Sequence, residues 1–171
     1  MSKYKAEPLS RNDIRRYVRK LKKSVGLDEM LMFPIIEFLE NIIPMIIPDF
    51  RLEIVPKGEM GINHGETYPS KNLIRIREDV YERAVDGVPR DRLTIAHEIG
   101  HLFLHENDVI ALCRMEPGET LKAYEDPEWQ ANCFGGELLA SYNLIRGMSE
   151  EEVMKSCNVS AQAAHILVSK L

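Results

Sequence analysis

Cysteine is scarce in this chain. There are three in 171 residues, at positions 113, 133 and 157, with no C-x-x-C pair. An odd number at such wide spacing argues against a disulfide scaffold. With no apolar signal segment ahead of them, it favours reduced thiols in a cytoplasm. An unbroken apolar run is missing too. The most apolar stretch, residues 30–50, is interrupted by Pro34, Glu37, Glu40, Pro44 and Pro48. That falls short of the ~20 residues a spanning helix needs, so the stretch reads as core and no membrane partner is expected. Internal repeats and low-complexity linkers are also absent, and at this length one domain over 1–171 is the expectation. It divides into N-terminal helices (1–48), a sheet with the helices that follow it (49–142) and a helical pair (143–171).

Positive charge is in deficit, with a net charge of −5. Residues 1–26 hold nine Lys/Arg against Glu7 and Asp13, which leaves +7 there and −12 on the remainder. An acidic body repels nucleic acid, so no direct contact with it is expected. In the basic segment, Ser10 and Asp13 form a capping-box-like helix start. Ile14, Tyr17, Val18 and Leu21 recur at helical spacing and leave the basic side chains outside, as a solvated face or a docking surface.

What the chain does have is a run of alternating elements. Asp28 can cap a second helix through about Asn41, kinked or restarted at Pro34. "FRLEIVPK" alternates as a half-buried strand does. Residues 58–70 read as turns around one short strand, "NLIRIRE" is another strand, and "EDVYERAVDG" is a short helix ended by Gly87. Towards the end, Ser149 with Glu152, and Ser160, mark two further helix starts. The predicted class is α+β: a small mixed or antiparallel sheet packed against several helices. The final helical pair has the cadence of a helix-turn-helix. Its first helix is acidic and few basic residues follow, so packing onto the sheet or the preceding helices is its expected use.

Histidine is concentrated rather than abundant. Three of five fall within "TIAHEIGHLFLH", residues 94–105. Pro89 and Asp91 suit the first turn of a helix that carries them. His97 and His101 then lie on one face, one turn apart, where two imidazoles can converge on one metal ion. Glu98 is beside such an ion without needing to bind it, placed to take a proton from water; this is the H-E-x-x-H arrangement of zinc peptidases. The competing reading is a helix with core-satisfied histidines, but unpaired imidazoles and a carboxylate in so apolar a helix would bear a desolvation cost with no return.

A catalytic zinc site wants three protein ligands. His105 lies two turns from His97, too far along a rigid helix, and reads as a polar residue at the helix end. The metzincin pattern needs Gly at 104 and His at 107, where this chain has Leu104 and Asn107. A second helix is signalled at "EDPEWQANCFGGELLA", with Asp126 as N-cap and Pro127 at its first position. Glu128 sits in its first turn and Asn132 shares its face, a pair suited to a ligand and an amide that orients a histidine. Glu125, Asp126 and Glu137 are rival acids, though Asp126 is better used as the cap and Glu137 lies two turns deeper.

Together these motifs resemble the ImmA/IrrE family of small zinc metallopeptidases. "TIAHEIGHLFLH" is followed 27 residues after His101 by "EWQANCFGGELL"; the family pattern is an H-E-x-x-H helix and then E-x-x-A-N-x-F-A-x-x-L-L. The likeness runs from about Asn72 to Leu139, with Arg92 and Thr94 in the lead-in. It implies a gluzincin-like minimal metallopeptidase core, one zinc held by His97, His101 and Glu128, and Glu98 as the general base of peptide hydrolysis. It also implies that the substrate is a helix-turn-helix repressor, cut in a stress or mobile-element switch. Electrostatically, an acidic body is the better match for an extended basic segment. The alternative is a zinc-containing regulatory module that acts only by binding a partner protein. Departures from the pattern are Gly135 and Gly136 where alanine is usual, and "LLAS" at the end. With Gly100, the glycines suit either close helix approach or simple drift. For the oxyanion that forms on a scissile carbonyl, the available residue types are His64, Tyr68, Tyr124 and Tyr142, and spacing does not choose among them. "GEMGINHGETYP" is a candidate strand edge for an extended peptide.

Overall fold

In the computed structural model, residues 4–105, 113–114 and 121–170 are described. Local chemistry decides where the helices begin. Ser10 caps α1 (Arg11–Ser24) in a reciprocal box with Asp13, and Ile14, Val18 and Leu21 turn inward. The box at Ser149 with Glu152 starts the helix Glu150–Cys157, and the Ser160 hydroxyl caps Ala161–Val168.

Lys22 departs from the expectation that the basic side chains of α1 stay outside, since it is 1% exposed. Its Nζ donates to Ser141 Oγ at 2.9 Å and lies 3.4 Å from the Leu138 carbonyl. The amine thus satisfies a helix-end carbonyl that would otherwise be orphaned in the interior. Burial pushes its pKa down from 10.5 to about 8, against the pull of Cys157, Asp28 and Glu137. Below pH 8 the folded chain bears the full cost of a buried ammonium. Between 8 and 10.5 folding releases the proton, so this group's contribution rises with pH. The stability of wild type relative to Lys22→Met is expected to improve across that window by up to about 3 kcal/mol. Urea unfolding of both chains at a series of pH values checks it, and a flat difference would show that the amine is not destabilised by burial.

Asp28 caps no helix. The second helical segment begins after Pro34, and its successive stretches Ile35–Glu37, Phe38–Ile42 and Ile43–Ile46 are α, π and α. Pro44 lacks an N–H and its ring crowds the carbonyl four residues back, so the turn ahead of it widens to the π form.

A short antiparallel pair joins β1 (Tyr4–Lys5) to β5 (Cys113–Arg114). The main sheet has three strands, β2 (Arg51–Val55), β3 (Gly65–Tyr68) and β4 (Leu73–Arg77), in the order β2-β4-β3. Strand β2 runs parallel to β4, while β3 pairs antiparallel with β4, so that β2 and β3 are the two outer strands. The architecture is therefore α+β with a mixed sheet. The helix Glu78–Val85 is closed by Gly87 in the left-handed region, φ +84°. Arg83 then pairs with Asp91, Nε to Oδ2 2.8 Å, and anchors the start of the next helix. That helix, Pro89–Leu104, bears the histidines; a later one, Pro127–Leu139, bears Glu128. One hydrophobic cluster, from Ile14 to Leu167, joins the helices to β4.

Among the described residues no helix is long and apolar enough to cross a membrane. Cys133 and Cys157 are free and buried. The side chain of Cys113, and Asn107, lie outside the described residues.

Candidate metal centre

One turn of helix separates His97 from His101, and their Nε2 atoms face each other at 3.0 Å. Glu128 arrives from the glutamate helix because Asp126 caps it, accepting the Glu128 N–H at 3.0 Å, and Pro127 starts the turn. Its carboxylate oxygens stand 3.3 Å from His97 Nε2 and 3.4 Å from His101 Nε2. A tetrahedral ion with ligand bonds of 2.0–2.1 Å has edges of about 3.3–3.4 Å between its ligand atoms. The two imidazoles face different carboxylate oxygens, Oε2 for His97 and Oε1 for His101, and with 3.0 Å between the Nε2 atoms the spacings are of that order, so His97, His101 and Glu128 form a group able to hold an ion.

The tautomers are fixed from outside the triangle. Gln130 Nε2 donates to two backbone carbonyls, Glu7 at 2.7 Å and Tyr124 at 2.8 Å. Its Oε1 must then accept from His105 Nε2 at 2.9 Å. That places the His105 proton on Nε2 and leaves its Nδ1 to accept from His101 Nδ1, 3.0 Å away. His101 is left with a bare Nε2 lone pair directed at the centre. Asn132 does the same for His97, its Oδ1 lying 3.1 Å from His97 Nδ1. Two lone pairs aimed at one point repel unless a cation lies between them.

His105 is at the helix end, as expected, but buried rather than solvated. Burial pushes its pKa down to about 4, so it stays a neutral acceptor. Burial also works against charge on His97. Hydrogen bonding to Glu128 and the charge of Glu98 nevertheless raise its pKa overall. The His101 and His97 imidazoles that face it hold the Glu128 carboxyl well below the usual carboxylate range, so it is an anion.

Glu98 is held by two residues that sequence reasoning missed. The Thr67 hydroxyl on β3 donates to Glu98 Oε2 at 2.6 Å. A Cβ on Gly65, in the same strand, would sit 2.6 Å from Glu98 Cγ and 2.8 Å from its Oε1. Only glycine leaves the carboxylate its place. The contact spans 31 residues of sequence, and the only local hint was the strand in the turn-rich stretch ahead of β4.

The glycines of the two ligand-bearing helices resolve in favour of close approach at two positions. A Cβ on Gly100 would lie 3.0 Å from the Ala131 carbonyl oxygen, and one on Gly135 would lie 3.2 Å from the His97 nitrogen. Gly136 instead faces Leu167 of the 161–168 helix. The rival acids are engaged elsewhere. Glu125 pairs with Lys5 at 2.9 Å, Asp126 is the cap, and buried Glu137 binds Arg15 at 2.7 Å.

The centre opens into a cleft of about 400 Å³, walled by His64, Gly65, Thr94, His97, Glu98 and Asn132 among others. Of the four oxyanion candidates, His64 is the one in this wall. Tyr68 donates to Glu66, Tyr124 lies beside Lys122, and Tyr142 is covered by the Arg15 guanidinium.

Fold and cluster define a class of protein: a small α+β unit in which an H-E-x-x-H helix is completed by an acid from a second, glycine-docked helix. The chain matches the family model of the IrrE N-terminal-like domain, Peptidase_M78, over residues 59–168, and belongs to that family. Comparison with curated proteins gives no match. Among solved structures, a Mycobacterium tuberculosis transcriptional regulator is similar, with a TM-score of 0.61 at 13% identity; the match covers 92% of this chain and 46% of the regulator. At that identity the likeness speaks for the fold, and the chain spans under half of the regulator's length.

Proposed function

We propose that the chain is a zinc-dependent endopeptidase of the cytoplasm whose substrate is a helix-turn-helix transcriptional repressor, cut in a stress or mobile-element switch. The observation that carries the reading is the convergence of His97, His101 and Glu128 donor atoms within 3.4 Å, with Glu98 held in the same cleft. Two imidazoles and a carboxylate suit zinc, and three protein ligands leave one position for chemistry. Bound there, zinc supplies Lewis acidity that acidifies water and polarises a carbonyl.

The remaining work belongs to side chains of this protein. Glu98 takes the proton of the attacking water and delivers it to the departing amine nitrogen. Thr67 and the bare Cα of Gly65 hold its carboxylate in place. An N–H of His64 stabilises the negative charge that develops on the carbonyl oxygen. The outer strand β3 offers its backbone to an extended peptide, which fixes the scissile bond over the cleft. The repressor as substrate rests on the family resemblance, not on the cleft.

The test is to incubate the zinc-loaded protein with the helix-turn-helix protein encoded beside it and to map new termini by mass spectrometry. One new pair of termini, suppressed by a chelator, is the expected result. Stable association with no cleavage would overturn the peptidase reading in favour of a regulatory module that only binds.

A further inference from the structure

A second hollow, of about 490 Å³, adjoins the cleft. The two share Leu93 and Asn132, and Asn132 is the residue that orients His97. The glutamate helix contributes Trp129, Cys133 and Gly136 to this groove, while Ala163, Ile166 and Leu167 come from the 161–168 helix. Gly136 matters to its shape. A Cβ there would press on Leu167 at 3.3 Å, so the absent side chain keeps the two helices close. Ile166 is 45% exposed in the groove although it is fully apolar, an arrangement that invites cover.

The charges at this groove are opposite to those of the body. Among the described residues, Arg11 and Lys170 are its only ionisable side chains other than Cys133, and the Arg11 guanidinium lies 5.6 Å from the Trp129 ring centroid. Apolar walls with cations over them complement an apolar segment that carries carboxylates.

We propose that this groove is the docking site for a segment of the polypeptide substrate in which acidic residues are interspersed among bulky aliphatic ones, lying within a few residues of the bond placed over the cleft. The proposal rests on the peptidase reading for the word substrate; the ligand chemistry rests on the groove alone. It also revises the electrostatic expectation. The body as a whole favours a basic partner, but the surface next to the cleft selects an acidic one.

Trp129 is the only tryptophan in the chain, so its fluorescence reports on the groove without any need for metal or turnover. The probe is the blocked hexapeptide acetyl-Leu-Asp-Leu-Leu-Asp-Leu-amide, titrated into the full chain and into Glu98→Gln. A saturable change in Trp129 emission, equal in both proteins, is expected. Replacing Asp by Lys or Leu by Ser in the peptide should weaken binding about tenfold. Arg11 sits at the first position of α1, where a carboxylate suits the helix dipole, so Arg11→Glu should fold normally and reverse the preference between the Asp and Lys peptides. Ala163→Phe should fill the groove and remove binding of all of them. Equal binding of the Asp and Lys peptides, or no saturable change at millimolar peptide, would overturn the proposal and leave the peptidase reading untouched. Binding as described in a protein that cleaves nothing would overturn the peptidase reading and leave the groove's ligand class standing.

Discussion

Glu98→Gln is expected to keep its metal and to lose peptide cleavage by about a thousandfold. The substitution preserves shape. The amide retains an oxygen for the Thr67 hydroxyl, which sits 2.6 Å from the native carboxylate, so neither β3 nor the histidine helix has reason to move. What disappears is the group that accepts a proton, and because that group acts in the transition state, the loss should fall on kcat with KM little changed. Gly65→Ala offers an independent route to the same group. Its Cβ would occupy the space of Glu98 Cγ, displacing the base rather than removing it, and activity should fall in the same direction with metal retained. Steady-state kinetics alongside elemental analysis separates these outcomes. If Glu98→Gln cuts within tenfold of wild type, another residue is the base.

Glu128→Ala and His97→Ala are expected to abolish stoichiometric zinc, from about one ion per chain to a small fraction after dialysis. Removing either leaves two ligands, and in the Glu128 variant two imidazole lone pairs 3.0 Å apart lose the carboxylate that faces both. His105→Leu should behave differently. It removes the acceptor for His101 Nδ1 but no ligand, so affinity should drop about 10–100-fold, visible in competition with a chelator though not in bulk zinc content. Full zinc in His97→Ala would place the site elsewhere. Complete loss in His105→Leu would make His105 a ligand, contrary to the way the helix carries it away from Glu128.

The features that are legible in the sequence are those whose physics is local. Ser10, Asp126, Ser149 and Ser160 announce helix starts because a cap acts over three residues, and the i, i+4 histidines announce a shared face because a helix has 3.6 residues per turn. Glu128 is legible as a candidate because its cap is. Beyond that range the sequence is mute. Thr67 and Gly65 matter only because β3 docks on the histidine helix, a contact that no periodicity encodes. Lys22 reads as one more solvated lysine of a basic helix, yet it borders the apolar stripe one turn after Val18, and a carbonyl 116 residues away accepts it inside. His105 looks like a terminal polar residue until Gln130, fixed by the backbone of Glu7 and Tyr124, dictates its tautomer. The helix restart at Pro34 can be read from the chain. The π turn ahead of Pro44 cannot, since it depends on which of several ways the helix absorbs a missing donor.

The backbone contacts at Gly100 and Gly135 bear on which ion the protein accepts. With no side chains between the two helices at those points, the distance across which Glu128 must reach the histidines is set by main-chain packing. Calcium takes about six to eight oxygen ligands, whereas two of these three donors are imidazole nitrogens, so the donor chemistry disfavours it while the glycine contacts keep the donors within reach of one another.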